Sequence, residues 1–214
     1  MSGNAIPEPL RDYIRDRFAK PEQDLLRKLL APAERAGLPP IMVEPEQARL
    51  LRLLVRLTGA RRVLDVGTLF GYSAAALAGA GPDVAVTSLE YDPRHAEVAR
   101  ANLAALGLAG RVEVLVGDAR QSLPTLQPPY DLALVDADKT GYRTYWEECL
   151  RLVRPGGAIL VDNVFAFGKV LDDSADADVQ AVQAFNDAAS ADPRVEATIL
   201  PVGDGLLLAH VLPR

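Results

Sequence analysis

Residues 64–73 read Leu-Asp-Val-Gly-Thr-Leu-Phe-Gly-Tyr-Ser, an aliphatic run followed by a turn that contains two glycines. The aliphatic residues before Gly67 are typical of a buried strand, and a helix is predicted after Gly71. Glycine at both turn positions lets the backbone pass close to a ligand at the carboxyl end of a sheet. The run therefore predicts a nucleotide-binding turn, although a glycine turn after a strand is equally common as a purely structural element.

Short aliphatic runs alternate with helical stretches from Arg61 onward, which is the pattern of a parallel sheet covered on both faces. The predicted strands are 63–66, 84–89, 112–116, 132–135 and 158–161, and the predicted helices lie near 72–79, 93–106, 119–124, 141–152 and 178–189. The segments 195–200 and 206–211 follow, joined only by residues 201–205. Because this link is too short for a crossover helix, the two segments form a hairpin with one antiparallel strand.

Composition limits the class of protein and its partners. The 214 residues carry a net charge of −6, which disfavours a nucleic-acid partner, and the single cysteine, Cys149, excludes an internal disulfide or a cysteine metal site. No apolar run approaches a membrane span, and the amino terminus lacks a secretory pattern, so we expect a cytoplasmic protein. Residues 1–60 read as helices. We predict one domain over residues 1–214, with a helical cap region at 1–60 and a core at 61–214.

Polar residues follow the second and third predicted strands. Glu90 ends the second strand, some twenty residues beyond the glycine turn, where a carboxylate can accept hydrogen bonds from both hydroxyls of a ribose. The spacing of Gly67 and Gly71 differs from the Gly-x-Gly-x-x-Gly of pyrophosphate binders. After the third strand, residues 117–119 read Gly-Asp-Ala; this turn is expected to border an adenine, with a helix cap by Asp118 as the alternative.

Three oxygen-bearing side chains follow the fourth and fifth predicted strands: Asp136, Asp162 and Asn163. Because neighbouring parallel strands end at the same edge of a sheet, we expect these side chains to lie together. Carboxylate and amide oxygens suit Mg²⁺, Mn²⁺ or Ca²⁺, with Mg²⁺ preferred here. The rival interpretation is that an aspartate after a strand only forms a turn.

Taken together, these motifs resemble the metal-dependent O-methyltransferases, the family of catechol O-methyltransferase and the caffeoyl-coenzyme A O-methyltransferases with their bacterial relatives. The likeness spans most of the chain and rests on residues 65–67 with 71–73, on Glu90, on 135–139 and 162–163, and on the closing Leu-Pro-Val-Gly-Asp-Gly at 200–205. It implies a Rossmann-like class I methyltransferase fold, in which a seven-stranded, mostly parallel sheet has an antiparallel last strand and extra amino-terminal helices.

The resemblance also implies site residues and an activity. S-adenosylmethionine would contact Val43, Asp65, Gly67, Thr68, Ser73, Glu90, Ala119 and Asp136, the metal would bind Asp136, Asp162 and Asn163, and Lys139 would be the general base beside Asp136. Methyl transfer to a hydroxyl of a small catechol-like or caffeoyl-type acceptor is then expected, in a homodimer. The alternative for Lys139 is a solvated lysine at the start of a helix; the proton of the acceptor hydroxyl would then pass to water.

The sequence departs from the family pattern at one position, and two other functions compete with methyl transfer. Many relatives carry Trp at the position of Ala166, so the acceptor preference is open; Phe165 and Phe167 are candidates to line an aromatic pocket or simple packing anchors. An NAD(P)-dependent oxidoreductase shares the glycine turn and distal acid but not the glycine spacing. A non-catalytic adenosylmethionine-binding protein of the same fold would not need Lys139.

Overall fold

The computed structural model describes residues 6–213, and these form a seven-stranded sheet flanked by eight α-helices. The helices are α1 (Glu8–Phe18), α2 (Lys20–Arg35), α3 (Pro45–Leu57), α4 (Tyr72–Ala78), α5 (Pro93–Ala105), α6 (Ala119–Ser122), α7 (Tyr142–Leu152) and α8 (Ala177–Ser190). The strands are β1 (Arg62–Val66), β2 (Ala85–Glu90), β3 (Val112–Val116), β4 (Tyr130–Val135), β5 (Val153–Val161), β6 (Val195–Leu200) and β7 (Leu206–Val211).

The sheet has the strand order β3-β2-β1-β4-β5-β7-β6. Strands β1 to β5 pair in parallel, whereas β7 pairs antiparallel with both β5 and β6. The predicted α/β fold with an antiparallel last strand is therefore confirmed. The order reverses between β1 and β4, so the carboxyl ends of these two strands open a crevice at the centre of the sheet.

Strand β5 begins earlier than the predicted 158–161. Val153 already pairs with Tyr130 of β4, and regular pairing resumes at Ala158. The register shift absorbs the intervening residues. Gly157 fits there because a side chain would collide with the carbonyl oxygen of Asp131.

The segment 40–44, between α2 and α3, lines part of the crevice. Helices α2 and α3 bury their apolar faces, including Leu29 and Leu51, against the core, whereas α1 has no buried residue. In the part of the chain that the structure describes, no helix is long and apolar enough to cross a membrane. The division of the chain at residue 60 within one domain stays a prediction.

A buried ion pair joins α2 to α3. The side chain of Glu22 is fully buried, and its two carboxylate oxygens lie 2.9 Å from Arg49 and 2.7 Å from Arg52. The backbone carbonyl of Glu22 also accepts a hydrogen bond from the hydroxyl of Tyr72 at 3.0 Å. These contacts connect the cap helices to α4, which follows the glycine turn.

Replacing Glu22 with alanine should lower the free energy of unfolding by about 3 kcal/mol, because two arginines would lose their buried partner. Urea denaturation of Glu22→Ala measures this change. Asp24→Ala is the matched control on the same helix, since its exposed pair with Arg27 should contribute less than about 1 kcal/mol. Equal losses in the two variants would contradict the role given to Glu22.

Candidate active site

The loops after β1 and β4 lie in backbone contact. A Cβ atom on Gly67 would overlap the carbonyl oxygen of Asp136, and the Asp136 amide donates a hydrogen bond to the carbonyl of Val66 at 2.8 Å. Gly67 has a φ of +107°, and Gly71, which precedes α4, has a φ of +88°. A positive φ favours glycine at both positions, because residues with a Cβ atom rarely adopt it. The two glycines therefore allow the turn between β1 and α4 to form.

Asp65, at the end of β1, lies behind this turn and not in the cavity. It is fully buried, and its Oδ2 accepts hydrogen bonds from the hydroxyls of Ser88 (2.6 Å) and Ser73 (3.2 Å). The Ser88 hydroxyl also lies 2.6 Å from that of Thr68. Burial raises the pKa of Asp65 to about 7, against the opposing effect of the Ser88 hydrogen bond.

Glu90 anchors the glycine turn from β2. Its Oε2 accepts a hydrogen bond from the Leu69 amide at 2.7 Å, and its Oε1 accepts one from the Asp92 amide at 2.9 Å and lies 3.4 Å from His95 Nδ1. Leu69 adopts a left-handed φ of +50°, which turns its amide toward the carboxylate. Glu90 also lines the main cavity, together with Gly67, Thr68 and Ser73.

Glu90 and Gly67 also line a second hollow, of about 430 Å³. It is bordered by Gly117, Asp118, Ala119 and Tyr91 and meets the main cavity along Glu90, Gly67, Ala137 and Asp138. Asp118 caps α6 by accepting a hydrogen bond from the Arg120 amide at 2.8 Å. The two interpretations of residues 117–119, a border of the adenine or a helix cap, are therefore compatible. Asp118 caps α6, and Ala119 borders the hollow.

Two acidic side chains meet at the other end of the main cavity, which measures about 610 Å³. Val135 of β4 pairs with Val161 of β5, so the residues that follow, Asp136 and Asp162, leave adjacent strands at the same level. Burial raises the pKa of both carboxyls, that of Asp162 to about 7 with a further contribution from the charge of Asp136. The nearby Lys139 opposes the rise at Asp136.

Asn163 and Lys139 complete this polar end. The Lys139 Nζ atom donates hydrogen bonds to Asn163 Oδ1 at 2.7 Å and to the Ala137 carbonyl at 3.2 Å. All four polar residues, Asp136, Lys139, Asp162 and Asn163, line the cavity.

The chemistry of these donors can be tested against a metal ion. Within residues 6–213, no group of three His, Cys, Asp or Glu side chains is arranged to hold a metal, and no residue donates a hydrogen bond to the carboxylate of Asp136. The set here is two carboxylates and one amide. Two neighbouring like charges, with an amide oxygen beside them, fit a hard divalent cation.

Part of the cavity wall is apolar. It includes Ile41 and Val43 from the segment before α3, and Phe167 from the loop after β5. Phe167 is 62% exposed and has a φ of +56°; its amide donates to Asp204 Oδ2 at 2.6 Å. Phe165 does not line the cavity; its ring packs on Gly205, where it leaves no room for a Cβ atom. Ala166 is buried.

The predicted site residues thus fall into three groups. Val43, Gly67, Thr68, Ser73, Glu90, Asp136, Lys139, Asp162 and Asn163 line the main cavity, and Ala119 lines the adjoining hollow. Asp65 lies behind the turn. Two contacts near the site were not predicted from the sequence: Gln47 Nε2, from α3, donates to Asp162 Oδ1 at 2.6 Å, and Asp138 binds Arg120 and Tyr145.

The fold and the cavity define a class of protein: an S-adenosylmethionine-dependent methyltransferase with a class I fold. A family model described as O-methyltransferase matches residues 16–212. The chain is 46% identical to a catechol O-methyltransferase of Mycobacterium tuberculosis over 94% of both proteins, and 42% identical to one of Niastella koreensis over 97% of this chain and 99% of that protein. An O-methyltransferase structure from Bacillus cereus in complex with SAH superposes with a TM-score of 0.88 at 37% identity, over 95% of this chain and 97% of that one.

The chain therefore belongs to the O-methyltransferase family, and it is an S-adenosylmethionine-dependent O-methyltransferase. Family membership decides against the nicotinamide-dependent oxidoreductase and the non-catalytic binding protein.

The buried carboxyl of Asp65 should make stability depend on pH. Because its folded pKa of about 7 exceeds the ordinary value near 4, the folded chain binds more protons than the unfolded chain between these limits. This group's contribution to the free energy of unfolding therefore falls as pH rises from about 4 to about 7. Asp65→Asn removes the titration, so its unfolding free energy should decline less than that of the wild type over this range, measured by urea denaturation. Parallel profiles would contradict the assignment.

Proposed function

We propose that this enzyme transfers the methyl group of S-adenosylmethionine to a hydroxyl of a small catechol-like or caffeoyl-type acceptor, assisted by a divalent metal. One observation carries the proposal: a single cavity joins the glycine turn and Glu90 to the oxygen set of Asp136, Asp162 and Asn163. The relatives from Mycobacterium tuberculosis and Niastella koreensis are named for catechol, which supports this acceptor class.

The cofactor would lie across the end of β1. In this proposal Glu90 accepts hydrogen bonds from the ribose hydroxyls, while Ala119 borders the adenine in the adjoining hollow. Gly67, Thr68, Ser73, Val43 and Asp136, which line the main cavity, would contact the cofactor's methionine end. Asp65 supports this end from behind through its hydrogen bond with Ser73.

Asp136, Asp162 and Asn163 would hold the divalent cation. When bound, such a cation stabilises an ionised oxygen and so makes a nucleophile available near neutral pH; Mg²⁺ is the first candidate, with Mn²⁺ and Ca²⁺ as alternatives. The apolar wall of Ile41 and Phe167 would lie against the acceptor ring and exclude water from the reacting atoms.

Lys139 would take the hydroxyl proton. Its hydrogen bonds to Asn163 and to the Ala137 carbonyl hold Nζ at the cavity, where it would reach the acceptor hydroxyl. The acceptor oxygen then forms a bond to the methyl carbon while the sulfur–carbon bond breaks and its electron pair stays on sulfur. The protein contributes by holding oxygen, carbon and sulfur in line.

The reaction class is tested by transfer of a labelled methyl group to a panel of catechols and caffeoyl esters, with Mg²⁺ or with a chelator. We expect turnover that the chelator abolishes, and a loss of about 100-fold or more in Asp136→Ala, since several kcal/mol of charge stabilisation disappears. Asp172→Ala, which removes an exposed loop carboxylate, is the matched control and should remain near wild type. Chelator-resistant transfer would refute the metal requirement, and no transfer to any panel member would refute the acceptor class.

Glu90→Gln should weaken binding of S-adenosylmethionine by about 10- to 100-fold, because a neutral amide has one acceptor oxygen where the carboxylate has two and the charge-assisted bonds are lost. Isothermal titration calorimetry measures the dissociation constant. Glu97→Gln changes an exposed acid on α5 and should bind as the wild type does. Unchanged affinity in Glu90→Gln would remove Glu90 from the cofactor site.

The homodimer and the cytoplasmic location stay predictions. Leu10, Tyr13 and Phe18 of α1 and Leu57 of α3 are exposed apolar side chains and would supply contact area between subunits.

A further inference from the structure

Gln47 is a buried amide that links the cap to the acidic end of the cavity. It lies in the first turns of α3, is 2% exposed, and donates from Nε2 to Asp162 Oδ1 at 2.6 Å across 115 residues of sequence. Gln47 does not line the cavity itself. Its contact with Asp162 is therefore made from behind that carboxylate.

The hydrogen bonds of Asp162 are distributed unequally over its two oxygens. Oδ1 accepts from Gln47 Nε2 and also from the Asn163 amide at 2.8 Å. Both bonds fall on Oδ1, and Oδ2 takes no part in either. Because Oδ1 is held by two donors and Asp162 lines the cavity, the carboxylate is fixed with one oxygen left over for a ligand.

The other end of the Gln47 side chain lies against Gly203. A Cβ atom on Gly203, in the link between β6 and β7, would overlap Gln47 Oε1, so this glycine makes room for the amide. An ionised carboxylate only accepts hydrogen bonds, so the amide nitrogen must face Asp162 and the amide oxygen must face Gly203. The side chain thus has one orientation between two loops at the carboxyl edge of the sheet.

We propose that Gln47 is a positioning residue of the cation site, which holds Asp162 so that its free oxygen is presented beside Asp136. The inference rests on the proposed function, since it assumes that a divalent cation binds there. Partners behind a metal ligand fix its orientation, and their loss typically weakens metal binding by about 10- to 100-fold. The cofactor contacts at Glu90 do not involve Gln47, so binding of S-adenosylmethionine should be unaffected.

The test measures Mn²⁺ binding by electron paramagnetic resonance, which reports free Mn²⁺ without any need for turnover. Gln47→Met keeps the length and volume of the side chain but removes its donor. We expect the dissociation constant for Mn²⁺ to rise about 10-fold or more, with the affinity for S-adenosylhomocysteine unchanged. Asn102→Leu is the matched control: it removes another buried amide, one that donates to the carbonyls of Leu29 and Phe70, and Mn²⁺ affinity should stay at the wild-type value.

Gln47→Asn provides a second variant should Gln47→Met not fold; it keeps the polarity but is one methylene too short to reach Asp162, and the same weakening is expected. Wild-type Mn²⁺ affinity in either folded variant would overturn the role of Gln47 and leave the proposed function intact. Equal weakening in Asn102→Leu would show a general effect of destabilisation and would also overturn it. A wild-type protein that binds no Mn²⁺ would overturn both proposals.

Discussion

The backbone contact between Gly67 and Asp136 is the constraint on which the rest of the site depends. The two loops meet because β1 and β4 are neighbours at the point where the sheet order reverses, and only a residue without a side chain allows the carbonyl of Asp136 so close. The contact joins the turn that carries Thr68 to the loop after β4 that carries Lys139. A cofactor and a cation bound in this crevice would both lie beside the contact between Gly67 and Asp136.

Electrostatics explains why this crevice suits its cofactor. Asp136, Asp162 and Glu90 bring acidic groups into one cavity, and burial makes the charges of Asp136 and Asp162 costly. A sulfonium and a divalent cation are both positive, so their binding would offset that cost. The donors already present, from Gln47 and the Asn163 amide, act on Asp162 alone. Asp136 is left to an incoming ligand.

Much of the fold and part of the site could be predicted from the sequence. Periodicity located the strands, and the adjacency of Asp136 and Asp162 followed from two parallel strands that end together. The contact of Gln47 with Asp162 could not be predicted, because it depends on how α3 docks on a loop 115 residues away. Phe165 and Phe167 look alike in sequence; the left-handed backbone of their loop sends only Phe167 to the cavity.

The central claim is that cofactor and cation share this one cavity. Crystals grown with Mn²⁺ and S-adenosylhomocysteine, with diffraction recorded at the manganese absorption edge, test it most directly. We expect one strong anomalous peak between Asp136, Asp162 and Asn163, with the ribose of the cofactor product on Glu90. Manganese bound at any other set of residues, or a cofactor product away from Glu90, would contradict it.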